Sequence, residues 1–281
     1  MAVAVPSVER LSPLGEKIFL DRYARKDPLR AFRPGELALV PEGEDPTHPQ
    51  KEVGVVEEIE GPHLRVRLRD GTLRVVPTDR ADRPLETRVE QVWARLARAA
   101  AAVEAEPSRW EAAFLWLLDD FRFVPGGRIW AGLGTDGGVT CYNCFVIPIA
   151  PAAGHEEAGR DSRRAIMDTL ATMVELMSRG GGVGINLSAL RPRGSYVAGV
   201  NGKSSGAVSW GALYSFATGL VEQGGSRRGA LMLILEDWHP DLLEFVVIKR
   251  RMGQMTNANI SVGISDAFME AVREDRDWEL V

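Results

Sequence analysis

The sequence is poor in the residues from which metal sites and secreted scaffolds are built. It holds two cysteines and four histidines in 281 residues. Two cysteines cannot form the disulfide framework of a small secreted domain. With no second Cys or His pair, the composition argues against a four-ligand zinc site as well. No apolar run approaches the roughly 20 residues of a membrane span. Met1 to Pro6 is too short for a signal peptide and lacks its charged start. The formal net charge of −5 is modest, so nothing global draws the chain to nucleic acid or to an anionic membrane. The P-loop pattern is also missing: Gly202-Lys203-Ser204 has no glycine five residues earlier. These absences leave a soluble globular chain, with no membrane partner and the cytoplasm as the default compartment. Its length suffices for one large domain or two smaller ones.

What is abundant is glycine beside cationic residues. Between Ser178 and Ala230 lie three such stretches: Ser-Arg-Gly-Gly-Gly-Val-Gly-Ile-Asn (178–186), Leu-Arg-Pro-Arg-Gly-Ser with Gly-Lys-Ser-Ser-Gly (190–195, 202–206), and Glu-Gln-Gly-Gly-Ser-Arg-Arg-Gly-Ala (222–230). Glycine lets backbone approach a ligand closely, and free N–H groups with Arg or Lys hold phosphate. One such run alone is an ordinary turn; three in about fifty residues predict an anionic-ligand site, with a nucleotide as the ligand class.

Taken in order, the chain opens with a short helix over Leu11–Tyr23, marked by Ser12-Pro13. Between 33 and 83, short apolar alternations punctuated by Pro34-Gly35 and Asp70-Gly71 predict a small SH3-like β-barrel inserted into the chain. Its alternating Arg65, Arg67, Arg69 and Arg74 are either a solvated strand face or phosphate contacts, the first being the commoner arrangement. His48 and His63, beside prolines, read as surface residues. Helices follow over 85–102 and 110–121. Phe123 to Trp130 reads as a loop entering a strand, and Val139 to Ile147 as a buried strand. Helices over 161–177, 206–221, 240–249 and 266–273 then alternate with strands over 231–235 and 260–264, which predicts an α/β body. Ser265 caps the last helix. The terminal Trp278-Glu279-Leu280-Val281 resembles the start of a further strand, so a truncated or split chain is expected. The domain plan is therefore a helical region (1–32 and 84–122), an inserted barrel (33–83) and an α/β body (123–281).

Cys141-x-x-Cys144 is the one thiol pair. It reads as a redox pair or as two small buried hydrophobes. In an extended strand, residues three apart point to opposite faces, which disfavours a relaxed local disulfide.

Seven stretches occur in order: Phe-Val-Pro-Gly-Gly-Arg-Ile (123–129), Asn-Cys-Phe-Val (143–146), Arg-Gly-Gly-Gly-Val-Gly-Ile (179–185), Leu-Arg-Pro-Arg-Gly (190–194), Ser-Arg-Arg-Gly-Ala (226–230), His-Pro-Asp (239–241) and Asn-Ile-Ser-Val with Asp-Ala-Phe-Met (259–269). Together they resemble the large, catalytic chain of ribonucleotide reductases, specifically the adenosylcobalamin-dependent class. The resemblance covers 85–281 and the first helix, and leaves out 32–84. It implies the first half of a ten-stranded α/β barrel. It also implies reduction of ribonucleotides by thiyl-radical chemistry, with a cysteine pair as the reductant.

Residue by residue, the resemblance makes Cys144 the first member of that pair. It places Gly126, Gly127, Asn143, Gly181, Gly182 and Arg227 at the substrate. It assigns Asp161 to the ribose of an effector nucleotide (a deoxynucleoside triphosphate or ATP), Arg191 with Arg193 or Lys203 to its phosphates, and Gln223 to a second loop that carries effector identity to the substrate. Helices 163–177 and 205–221 become a homodimer interface. Adenosylcobalamin, the C-terminal half of the enzyme with the radical cysteine, and a thioredoxin-like reductant are implied as cofactor and partners. No metal ligand is implied. A second function class stays open, a non-catalytic nucleotide-sensing module retaining the effector site. Nucleic-acid binding through the inserted barrel is a weaker third.

Overall fold

The computed structural model describes residues 11–43, 50–154, 159–197, 201–223, 227–250 and 253–281. His48 lies outside them. The chain folds as two compact units that divide at Cys141/Tyr142.

In the first unit, α1 (Pro13–Arg22) starts at Ser12, whose hydroxyl accepts the Gly15 N–H at 3.1 Å. Four strands follow: β1 (Leu37–Pro41), β2 (Lys51–Glu60), β3 (His63–Leu68) and β4 (Leu73–Pro77). They form an antiparallel meander in sequence order. After β4, a short 3₁₀ turn at Thr78–Arg80 brings the chain back to β1, where Leu39 and Asp82 exchange two N–H···O bonds of 2.9 Å. This single bridge returns the chain to β1, and the four strands themselves form an open sheet. β1 is buried on both faces. Ala38 and Val40 join Val56, Leu64 and Val66 inside the sheet, while Leu37, Leu39, Val53 and Val55 pack with the helices. The arginine stripe is paired within the chain: Arg65 with Glu58 and Glu60, Arg67 with Glu57, Arg69 with the buried Glu16, and Arg74 with the Pro41 carbonyl.

α2 (Val89–Ala101) and α3 (Pro107–Leu118) complete the helical part. α2 buries Val89, Val92, Trp93 and Leu96 on one stripe. The stretch expected to be a loop entering a strand is instead a short helix, α4 (Gly127–Gly132). Packing decides this: Trp130 is buried, its ring centroid 5.7 Å from Tyr23 and 6.3 Å from Phe121.

The second unit holds a four-stranded parallel sheet in the order β12-β11-β6-β5: β5 (Cys144–Ile147), β6 (Gly182–Asn186), β11 (Leu231–Glu236) and β12 (Ala258–Gly263). Parallel neighbours require long crossovers. These are α5 (Arg163–Ser178), α6 (Ala207–Leu220) and α7 (Leu242–Val247), with α8 (Asp266–Arg273) after β12. Two small ribbons, β7 (Tyr196–Val197) with β8 (Gly202–Lys203) and β9 (Glu222–Gln223) with β10 (Arg227–Arg228), lie within connections. One core gathers Met173 and Met177 of α5, Tyr214 of α6 and Phe245 of α7 against Val183, Ile185, Leu231, Leu233 and Leu235.

Three expectations are corrected in this unit and at its boundary. The buried strand over 139–147 is only β5, and its Cys144 and Val146 side is exposed, Val146 at 87%. The Gly-rich stretch at 178–186 is a turn only as far as Gly181; Gly182–Asn186 is a central strand whose glycines take the outward positions of a period-two pattern. Residues 278–281 form no strand, but the Val281 N–H donates to the Trp238 carbonyl at 2.7 Å. Among the described residues, no helix is long and apolar enough to cross a membrane.

Candidate functional site

The parallel register sets Cys144 beside Gly182 and Val146 beside Gly184, with Met232 and then Asn259 next in the second row. Residues in register on parallel neighbours share a face, and this is the face opposite the helix-packed core. Cys144 thus stands exposed on an open sheet face with a bare backbone strand beside it. Gly181 precedes that strand, and a Cβ there would lie 2.6 Å from the Phe145 ring, so only glycine fits without displacing it. The Gly182 N–H donates to the Asn143 carbonyl at 2.8 Å, and the Val183 N–H to the Ala230 carbonyl at 2.9 Å. The end of the Glu222–Ala230 connection therefore meets the sheet at the same edge as Cys144. In that connection Gln223 pairs with Arg227 across the β9–β10 ladder. Residues 224–226, and the side chains of Gln223 and Arg227, lie outside the described part.

Cys141 sits in a bend before β5, half-buried, and both thiols are free. The two cysteines do not share one extended strand, because β5 begins only at Cys144. Gly126 and Gly127 belong to the first unit, at the cap and first residue of α4.

At the opposite ends of the same strands, the segment leaving β6 gathers a charged group. Asp161 accepts the Arg191 backbone N–H at 3.1 Å and forms an ion pair with the Arg191 guanidinium. Arg191 also donates to the Tyr196 carbonyl at 3.0 Å. Thirty residues apart in sequence, Asp161 and Arg191 meet because Asp161 lies just before α5 and Arg191 just after β6. Each keeps capacity for a ligand, since a carboxylate has about four acceptor sites and a guanidinium five donors. Lys203 pairs with Tyr196 in the β7–β8 ribbon and makes no ion pair among the described residues.

Arg193 behaves differently. Its guanidinium donates to both oxygens of Glu244, at 2.9 and 2.8 Å, and to the Ser209 hydroxyl at 3.1 Å. This pairing holds the guanidinium above its usual pKa, the Glu244 hydrogen bond being the main cause. A cavity of about 330 Å³ adjoins it, lined among others by Ser209, Phe216, Met255 and Asn257.

Several polar residues at this end carried no role in the sequence. Asn186 donates to Glu236 at 2.7 Å, and the Ser188 hydroxyl accepts the Glu236 N–H at 2.8 Å. His239 and Asp241 are buried and bond to the Leu190–Ala207 segment. The His-Pro-Asp motif signalled them, without a function. Among the described residues, no group of three His, Cys, Asp or Glu is gathered to hold a metal ion.

A thiol on the open face of a parallel α/β sheet, with a charged loop at the other strand ends, defines a class of architecture. The comparisons with known proteins name the family. Residues 142–281 match the ribonucleotide reductase barrel domain, and residues 78–138 match the ribonucleotide reductase all-alpha domain. A vitamin B12-dependent ribonucleoside-diphosphate reductase of Mycobacterium tuberculosis is 39% identical over 209 residues, 72% of this chain and 28% of the relative. The protein of the same description from Thermoplasma acidophilum is 34% identical over 166 residues, 59% of this chain and 20% of the relative. A ribonucleoside-diphosphate reductase large chain of Cryptosporidium parvum is 36% identical over 144 residues, 50% of this chain and 17% of the relative. The chain belongs to the ribonucleotide reductase family. It spans about a quarter of the length of its Mycobacterium relative. The meander of β1 to β4 lies ahead of both matched segments.

Proposed function

We propose that this chain carries the effector-binding and thiol-bearing part of a vitamin B12-dependent ribonucleotide reductase. The observation that carries the reading is the exposed Cys144 on the open face of the sheet, flanked by Gly182 and Gly184. Two glycines in register with Cys144 and Val146 leave room for a sugar against the backbone. In the proposed reaction the ribose loses its 2′ hydroxyl as water. Cys144 and a second cysteine of the enzyme give up two hydrogens between them and close a disulfide. A thioredoxin-like dithiol restores the pair. Asn143, Gly181, Gly182 and Arg227 surround the substrate in this reading. Ribonucleoside diphosphate is the proposed substrate form, since the B12-dependent relatives are named as ribonucleoside-diphosphate reductases.

Adenosylcobalamin is the radical source that the relatives' description implies. The residues described here do not fit it: the cavity beside Arg193, about 330 Å³, is smaller than a corrin with its nucleotide tail. The cofactor is therefore assigned to other parts of the enzyme.

The Asp161–Arg191 pair is the proposed effector site, Asp161 accepting from the ribose and Arg191 and Lys203 facing the phosphates. The connection through Gln223 and Arg227 ends beside Cys144 and relays effector identity. A second copy of the chain is the proposed partner, docking on α5 and α6. Phe216 and Leu220 of α6 are 65% and 68% exposed, and Met167 of α5 is exposed too.

The test is a thermal-shift titration of the chain with dATP, dTTP, dGTP and ATP. A ligand at 100 times its Kd stabilises a folded site by about 2.7 kcal/mol. The expected result is a clear shift with at least one nucleotide that Asp161→Ala reduces. A cooperative melt that no nucleotide moves would refute the effector assignment for this chain.

A further inference from the structure

The His239-Pro240-Asp241 motif has no part in the chemistry above, yet its two polar side chains are almost completely buried, at 1% and 6% exposure. Buried polar groups of this kind are hydrogen-bonded, and their partners show what they hold. The Asp241 carboxylate accepts the Arg193 backbone N–H at 3.0 Å through one oxygen. Through the other it accepts the Ala207 N–H at 2.8 Å. His239 accepts the Asp241 N–H at its Nδ1, 3.0 Å away, which leaves the proton on Nε2 to be donated to the Leu190 carbonyl at 2.9 Å. Leu190 and Arg193 begin the loop that carries Arg191 and Lys203; Ala207 opens α6, where that loop ends. One motif thus clamps both ends of one loop.

Gly206 shows how closely the clamp is built. Its φ is +87°, and a Cβ there would lie 2.6 Å from the Asp241 carboxylate and 2.9 Å from Arg193. The Arg193 side chain adds a strut, because its guanidinium is held by Glu244 and Ser209. Arg193 is therefore tied by its backbone to Asp241 and by its side chain to Glu244, on either side of the start of α7.

We propose that His239 and Asp241 are positioning residues that set nucleotide affinity at Asp161 and Arg191 by fixing Leu190, Arg193 and Ala207 at the two ends of the loop, with Arg193 acting as part of the clamp. This rests on the effector reading of that loop. Arg191, two residues away, reaches Asp161 with both its backbone N–H and its guanidinium, so the clamp on Arg193 bears directly on the segment that carries those donors. Free loop motion would have to be stopped when the nucleotide binds, and that ordering lowers affinity.

The experiment compares the whole chain with Asp241→Ala, Asp241→Asn and a control, Thr169→Val, which removes a buried hydroxyl between α5 and the Pro148–Ala150 segment, away from the loop. Two quantities are read: amide hydrogen exchange at Arg193 and Ala207 without ligand, and the Kd for dTTP and dATP by calorimetry. Losing a charged acceptor should speed exchange at both amides by roughly tenfold or more and raise the Kd of whichever nucleotide binds by a similar factor. Asp241→Asn keeps one acceptor oxygen and should fall between the wild type and Asp241→Ala. The control should change neither quantity at matched stability. Unchanged exchange at Arg193 and Ala207, or a Kd within twofold of wild type in the alanine variant, overturns the proposal. If the alanine variant does not fold, the asparagine variant decides by the same criteria. If the wild type binds neither nucleotide while both amides still respond, the effector reading has failed, and the affinity role with it, although the clamp itself exists.

Discussion

Replacing Arg95 with methionine should unfold the first unit far more easily than its single-residue size suggests. Arg95 and Glu86 form an ion pair with side chains only 7% and 10% exposed. The guanidinium donates to Glu86 at 2.8 and 3.2 Å, and to the carbonyls of Trp130 at 3.1 Å, Tyr23 at 3.3 Å and Leu133. Glu86 also accepts the Arg25 N–H at 2.8 Å. One side chain therefore ties α2 to the end of α1 and to α4. Methionine fills the volume of the stem but leaves the Glu86 carboxylate buried without its counter-charge. Removing one partner of such a pair costs about 3–5 kcal/mol, most of it the stranded charge. For a unit of this size that corresponds to a Tm lowered by about 10–15 °C. Thermal and urea unfolding followed by tryptophan fluorescence report it, since Trp93, Trp110, Trp116 and Trp130 all lie in this unit. The double variant Arg95→Met, Glu86→Met removes the lone charge and should regain at least about 1 kcal/mol over the single one. A single variant within about 1 kcal/mol of wild type, or a double variant no better than the single, would refute the reasoning.

Two further predictions concern buried titratable groups. Burial pushes Lys26 down to about 8, against the pull of Asp21 and Asp82; its ammonium donates to the carbonyls of Leu20, Asp21 and Ala24 at the end of α1. The unfolded chain holds that proton up to about 10.5, so between pH 8 and 10.5 it binds more protons than the folded state. Stability of wild type relative to Lys26→Met should then rise with pH across that window by up to about 1.4 kcal/mol per unit; a flat difference in urea midpoints would contradict it. Tyr214 is buried and donates to the Ile166 carbonyl at 3.0 Å, joining α6 to α5, and burial holds its hydroxyl above the usual tyrosine range. Tyr214→Phe should cost about 1 kcal/mol in the unfolding of the second unit, and no loss in a denaturant melt would show that this bond does not stabilise the helix pair.

Much of the fold could be read locally. Asp70-Gly71 marks the β3–β4 turn and Ser265 caps α8, because both signals act over three or four residues. The failures have physical causes. Gly182 and Gly184 take the outward places of an alternating strand, and glycine there looks like a turn when only the residue types are known. Arg128-Ile129-Trp130 has strand-like composition, but burial of Trp130 against Tyr23, more than a hundred residues earlier, makes it helical. The site divides the same way. Cys144 and the cationic loops were visible as residue types beside glycine. The pairing of Asp161 with Arg191, the commitment of Arg193 to Glu244 and the clamp by His239 and Asp241 depend on contacts 30 to 51 residues apart, which no local pattern encodes.

The central claim is that Cys144 reduces a ribonucleotide. It is tested most directly by supplying the chain with the remainder of a B12-dependent reductase and adenosylcobalamin, then following deoxyribonucleotide formed per active site with wild type and Cys144→Ser. The account predicts multiple turnovers with dithiol reductant for wild type and none for the serine variant. Sustained multiple turnover by Cys144→Ser would contradict it.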